Sequence, residues 1–175
     1  MLFKRLIISG LFILLASTNG ESLVNYYSEW KYFEGRTEPS IPQTAWKQLN
    51  FDDSDWKSGP SGFSVGFGSY NAPTKLQGMP GEYTSVYLRK VFDIDDIDWI
   101  KSLILRVDYD DGFVAYINGK EVVRRGLEGE PKNHVPFNSL AAVHQRGNPE
   151  LIDITQFKPL LKNGENLLAI QAHNH

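Results

Sequence analysis

Cysteine is absent from the 175 residues of this chain. That absence excludes disulfides, thiolate zinc sites, thioether haem attachment, a thioether lipid anchor and a thiol nucleophile. It is compatible with an oxidising compartment without identifying one. The apolar run near the N-terminus, residues 6–16, has only 11 residues, against the ~20 needed to cross the hydrocarbon layer. Basic residues are scattered, so no stripe of Lys or Arg marks a phosphate-backbone footprint, and nucleic acid is not an expected partner. No internal repeat, sustained helical period or G-x-S-x-G elbow is visible; GPSGF at Gly59 to Phe63 resembles the elbow only superficially.

The first twenty residues have the layout of a secretory signal peptide. Lys4 and Arg5 form a basic head, the apolar run comes next, and small and polar residues lead to Gly20. The expectation is a secreted or periplasmic protein, cleaved after Gly20, with no membrane span in residues 21–175. A retained anchor is the competing reading, and the shortness of the run argues against it. Residues 21–175 suit one domain, able to bury about two-thirds of its unfolded surface without a disulfide. Without Lys4 and Arg5, 16 basic residues stand against 21 acidic ones, a formal charge of −5. Mild acidity of this kind serves solubility.

Short strands separated by turn residues dominate the rest of the chain. In residues 83–92, Thr84, Val86, Leu88, Lys90 and Phe92 share a mostly apolar face, which predicts the core side. In residues 103–109, Leu103, Leu105, Val107 and Tyr109 face one way. Asp110-Asp111-Gly112 interrupts the pattern, residues 113–117 resume it, and residues 120–124 return after Asn118-Gly119. A two-residue type I′ turn needs positive φ at both central positions, which Asn-Gly supplies, so a hairpin is predicted. Brief strands are expected at 151–154 and 166–172, with Thr155 capping a short turn between them. Residues 36–56 read as an ordered connection pinned by Trp46 and Trp56, with a turn at 51–56 closed by Asp and Ser side chains. Residues 59–81, with six glycines, read as a long structured loop without phosphate-cradle spacing. Residues 126–149 read as a further loop, and the acids of 93–98 as a solvated face beside an inward Trp99 and Ile100. Together these predict an all-β, two-sheet antiparallel sandwich of the jelly-roll kind.

Four stretches carry a resemblance: FDDSDWKSGPSGFSVGFG (51–68), YTSVYLRKVFDI (83–94), DYDDGFVAYINGKEVVR (108–124), and IDITQF with LKNGENLLAIQAHN (152–157 and 161–174). In order and spacing they are similar to the galactose-binding-domain-like jelly rolls found beside catalytic domains in secreted bacterial hydrolases. The resemblance implies a non-catalytic sandwich that binds glycan or packs against a neighbouring domain, and some such modules hold a structural Ca²⁺ ion. Scaffold is shared more widely than ligand in such modules, so the ligand stays open. The family pattern continues past the last His-Asn into a further strand and often another domain. It therefore implies a fragment of a longer secreted protein, with a covalently linked catalytic domain beyond the C-terminus.

Asp108, Asp110 and Asp111 are the sharpest acidic cluster. As metal ligands they offer carboxylates to Ca²⁺, which takes about six to eight oxygens and so needs more than these three. As turn residues they bond backbone N–H groups, with Gly112 supplying a difficult backbone angle. Asp52, Asp53 and Asp55 have the same two readings. Asp108 and Asp111 as a glycosidase pair would need a separation of roughly 5 or 6.5–9.5 Å across a cleft, which nothing in the spacing sets. His173 and His175 are a zinc pair lacking an identifiable third ligand, and His134 and His144 stand apart from them. Aromatic residues make the stronger binding argument, because sugar C–H faces pack on rings while polar neighbours bond the hydroxyls. The expected ligand set is Trp56 and Tyr109, Tyr70 and Asn71 in the glycine-rich loop, and Arg89; Trp30, Trp46 and Trp99 are further candidates. Core packing competes for each tryptophan, and pairing with Asp on a sheet face competes for Arg89, Arg106 and Arg124. The leading expectation is an accessory module that binds carbohydrate or positions a catalytic domain. The alternatives are a structural protein-interaction module packing against a missing downstream domain, and a hydrolase in its own right.

Overall fold

The computed structural model of the protein describes residues 7–8, 13–17, 21–65, 72–79, 81–130 and 133–175. Its strands in chain order are β1 (Ile7–Ile8), β2 (Ile13–Ser17), β3 (Glu21–Val24), β4 (Glu29–Glu34), β5 (Lys57–Pro60), β6 (Phe63–Val65), β7 (Thr74–Leu76), β8 (Ser85–Ile94), β9 (Ser102–Val107), β10 (Gly112–Ile117), β11 (Lys120–Arg125), β12 (Glu150–Asp153) and β13 (Gly164–His173). A six-stranded antiparallel sheet runs β11-β10-β13-β8-β4-β5, and a four-stranded antiparallel sheet runs β12-β9-β2-β3. A small sheet, β1-β6-β7, completes the fold. The architecture is the all-β sandwich expected from the sequence.

The hairpin forms for the predicted reason. Asn118 and Gly119 take φ of 47° and 83°, so Ile117 pairs directly with Lys120 across a two-residue turn. A register shift after Ala115 leaves Val122 as the extra residue of a bulge. The centre of the large sheet is the ladder between β8 and β13, which runs from Gly164 opposite Ile94 to His173 opposite Ser85.

Alternation places two different sets of side chains on the two faces of this sheet. The inner face presents Val86, Leu88, Phe92 and Ile94 of β8, Phe113, Ala115 and Ile117 of β10, and Leu168, Ile170 and Ala172 of β13. These pack with Leu103, Leu105 and Val107 of β9. The outer face presents Tyr87, Val114, Tyr116, Leu167 and Ala169, covered by Trp46 and Trp56 from the 36–56 connection and by Val135 from the 126–149 connection.

Three local readings change. The first half of β8 is buried on both faces, Tyr87 and Arg89 included, because the connections cover the side expected to be polar. The 59–81 stretch contains β5, β6 and β7 as well as loop. Gly59 makes room there for Thr74: a Cβ at that position would stand 2.5 Å from Thr74 Oγ1, and the same hydroxyl donates to the Pro60 carbonyl at 2.7 Å. Thr155 does not cap its own turn. Its Oγ1 accepts from Leu103 N at 3.0 Å, while Asp153 Oδ1 accepts from Thr155 N at 2.9 Å.

Of the expected leader, residues 1–6, 9–12 and 18–20 lie outside the described residues. Residues Ile7–Ile8 pair with β6, and the backbone of Ile13–Ser17 forms a strand between β9 and β3.

Candidate functional site

The acidic turn between β9 and β10 grips a distant loop. Asp111 is buried; its Oδ1 accepts from His144 N at 3.0 Å and its Oδ2 from His175 N at 2.9 Å. Asp108 Oδ1 accepts from Gly147 N at 2.8 Å. Burial, and then the charge and hydrogen bond of Asp111, push the Asp110 carboxyl up to about 6, against the pull of the Arg146 backbone N–H. Tyr109 stacks on His144 with ring centroids 4.1 Å apart, and its hydroxyl donates to Glu150 Oε2 at 3.3 Å. His144 Nδ1 donates to the Tyr109 carbonyl at 2.9 Å.

Carboxylates in a turn were expected to bond N–H groups. The partners, however, come from residues 144, 147 and 175, more than thirty residues away, and not from the turn itself. Among the described residues, no group of three or more His, Asp or Glu side chains is arranged to hold a metal ion. Both oxygens of Asp111 and Oδ1 of Asp108 accept from backbone N–H groups.

A second arrangement was not read from the sequence. Residues 135–141 cross the outer face without strand structure, and their alternate carbonyls are taken by side chains from the sheet below and the chain end. Val135 O accepts from Gln171 Nε2 at 2.8 Å, and Phe137 O from Ser85 Oγ at 2.6 Å. Ser139 O accepts from His173 Nδ1 at 2.9 Å, and Ala141 O from His175 Nδ1 at 3.0 Å. A buried connection has backbone groups that need partners, and this row of donors supplies them. The available signal was the placing of Ser85, Gln171 and His173 within otherwise apolar strands. His173 is fully buried, its Nε2 has no partner, and burial holds its imidazole down to about 4.

Arg89 plays the same part for the 36–56 connection. It is 2 % exposed. Its guanidinium donates to the carbonyls of Trp46, Gln48 (3.0 Å) and Phe51 (3.4 Å), and Nε donates to Asp53 Oδ2 at 2.6 Å. The turn below it is the predicted one, with Ser54 N donating to Asp52 Oδ1 at 3.0 Å.

Trp56 is 9 % exposed and lies between Phe33 and Phe51, at centroid distances of 5.5 and 5.8 Å. Trp46 meets Tyr87 and Tyr116 edge-on at 4.9 and 5.6 Å. Trp30 is buried in the inner core and Trp99 is partly buried against it. Tyr70 and Asn71 lie outside the described residues. The structure thus brings Trp56 and Arg89 to one region, the cover of the outer face, and Tyr109 to another, the acidic turn. His134 Nε2 bonds Glu38 Oε1 at 3.0 Å, apart from the two C-terminal histidines. No helix among the described residues is long and apolar enough to cross a membrane.

No protein-family model matches the chain, and no curated protein matches it. Solved structures do. A β-glucuronidase from glycoside hydrolase family 2 aligns with 93% of this chain and 14% of its own, with TM-score 0.52 and 17% identity. The β-glucuronidase of an uncultured Clostridium sp. aligns with 99% of this chain and 24% of its own, with TM-score 0.53 and 19% identity. A calcium-binding mutant of Bacteroides uniformis β-glucuronidase 2 aligns with 87% of this chain and 14% of its own, with TM-score 0.50 and 20% identity. These likenesses show the fold: a β-sandwich similar to one domain-sized part of those enzymes. The chain spans between 14% and 24% of their length.

Proposed function

We propose that this chain is a non-catalytic, exported accessory module that binds carbohydrate on behalf of a catalytic domain joined to it. The observation that carries this reading is the extent of the likeness: nearly all of this chain matches a small part of much larger β-glucuronidases. The signal-like first twenty residues support export. Tyr70 and Asn71 belong to the proposed ligand set, since loops on a rigid scaffold carry recognition. Trp56, Arg89 and Tyr109 hold the connections in place and act on ligand only through that scaffold. Glycan-array screening followed by calorimetry on the purified chain tests the reading. Saturable binding to one class of glycan is the expected result, and an array with no binding at all would sink it.

One feature favours a protein-interaction role as the second reading. Leu140 and Val143, 61 % and 54 % exposed, sit on the loop that Asp111 holds. Replacing both with Ser should then uncouple the unfolding of this module from that of the neighbouring domain in the longer protein, read by calorimetry, while leaving the thermal midpoint of the isolated module unchanged.

A further inference from the structure

The tip of the Asn118-Gly119 hairpin, the connection at 48–50 and the segment at 160–165 enclose an open groove of about 550 Å³, within the ~300–1,000 Å³ usual for small-ligand pockets. Its walls are held by side chains fully engaged in scaffolding. Asn118 Nδ2 donates to the Leu160 carbonyl at 2.8 Å and to Asn166 Oδ1 at 2.9 Å, and Asn118 Oδ1 accepts from Leu167 N at 2.9 Å. Buried Asn166 in turn donates to the carbonyls of Lys162 and Gly164. On the opposite wall, Arg89 fixes the Gln48 carbonyl at 3.0 Å. The Gln48 amide lies so close over Gly119 that a Cβ there would come within 2.4 Å of its Nε2.

Four lining residues present polar groups of a different kind. The side chains of Gln48, Asn50, Lys162 and Glu165 line the groove and are exposed; none makes a side-chain hydrogen bond or ion pair among the described residues. Leu49 and Leu160, each half-buried, supply apolar surface between them. Two amides, one ammonium and one carboxylate offer donors and acceptors together. The two charges cancel, so an anion gains no net attraction. A neutral polyhydroxylated ligand matches this set: each hydroxyl both donates and accepts, and the C–H surface of a sugar ring packs on leucine.

We infer that this groove is a carbohydrate subsite for a neutral sugar of one or two rings, with Gln48, Asn50, Lys162 and Glu165 as its hydroxyl-binding residues. The inference rests on the carbohydrate reading of the whole chain and assigns hydroxyl-binding residues other than Tyr70 and Asn71. The test is calorimetric titration of the full chain with neutral mono-, di- and tetrasaccharides of the gluco, galacto, manno and xylo series. The proteins compared are wild type, Gln48→Ala/Asn50→Ala, Glu165→Gln and Tyr70→Ala/Asn71→Ala. The expected result is wild-type binding that weakens about tenfold or more in the double groove variant and severalfold in Glu165→Gln, at unchanged thermal midpoints. Wild-type binding that survives in both groove variants overturns the groove and leaves the carbohydrate reading standing, all the more if Tyr70→Ala/Asn71→Ala abolishes it. Failure of wild type to bind any of these sugars overturns the groove, and failure on the wider array overturns the reading as well.

Discussion

The centre of the six-stranded sheet is covered on both faces, but by different material. On the inner face it meets other strands, whose backbone groups are already paired in ladders. Aliphatic residues such as Leu88, Leu105 and Ile170 are therefore sufficient there. On the outer face it meets irregular connections, whose carbonyls lack ladder partners. Each buried carbonyl left alone costs ~1–3 kcal/mol, and the outer face accordingly carries Arg89, Ser85, Gln171 and His173 among its aromatic rings. Whether a sheet face is covered by strands or by loops thus decides whether its buried residues are purely apolar or must include donors.

Removing the donor that serves most carbonyls should break this contrast most visibly. Arg89→Met leaves Asp53 and three carbonyls without their partner. A loss of about 3–5 kcal/mol is expected in urea unfolding, with faster amide exchange concentrated in residues 45–56. Leu88→Ala on the inner face should cost about 2–5 kcal/mol by opening a cavity, and its faster exchange should spread over both sheets. Equal, global effects of the two would erase the distinction between the faces.

Next in size is a pH effect of opposite sign at two places. His173 titrates near 6.5 when free of the fold and about 4 within it. Its contribution is present above 6.5 and lost as pH falls towards 4, by up to about 3 kcal/mol. Asp110 is raised from 3.8 to about 6, so its contribution is present below 3.8 and lost as pH rises to about 6. The two slopes oppose each other in wild type. His173→Gln should lessen the acid loss between pH 6.5 and 4, and Asp110→Asn should steepen the net acid loss that remains, both read from thermal midpoints against pH. Unchanged slopes in both variants would show that neither group is buried as described.

A smaller backbone effect concerns the four-stranded sheet. β2 shields β9 through pairs from Ile13 opposite Arg106 to Ser17 opposite Ser102. Cleavage after Gly20 should raise exchange of the β9 amides facing β2 by about an order of magnitude or more, while β8 and β13 keep their protection. The smallest expected effect is that of calcium. With the carboxylates of Asp108 and Asp111 bonded to N–H groups, adding Ca²⁺ or a chelator should leave the thermal midpoint unchanged, whereas a rise of several degrees with Ca²⁺ would give Asp108, Asp110 and Asp111 a metal role.

Local and periodic features were legible in the sequence. The Asn118-Gly119 turn needs only two residues with accessible positive φ, the β9 alternation only a period of two, and the Asp52 to Trp56 turn only neighbouring side chains. Each was read correctly because its cause lies within a few residues. Tertiary structure alone decided that the far face of β8 is covered, so that Arg89 and Tyr87 are inside. It also decided that the glycines near Gly59 accompany strands, and that Asp108 and Asp111 hold a loop some thirty residues away. The groove between Gln48 and Glu165 joins three segments, the outer two of them more than a hundred residues apart, and no spacing along the chain announces it. A side chain's hydrogen-bonding potential is written in the sequence, but the partner that takes it up is set by which distant backbone is brought against it.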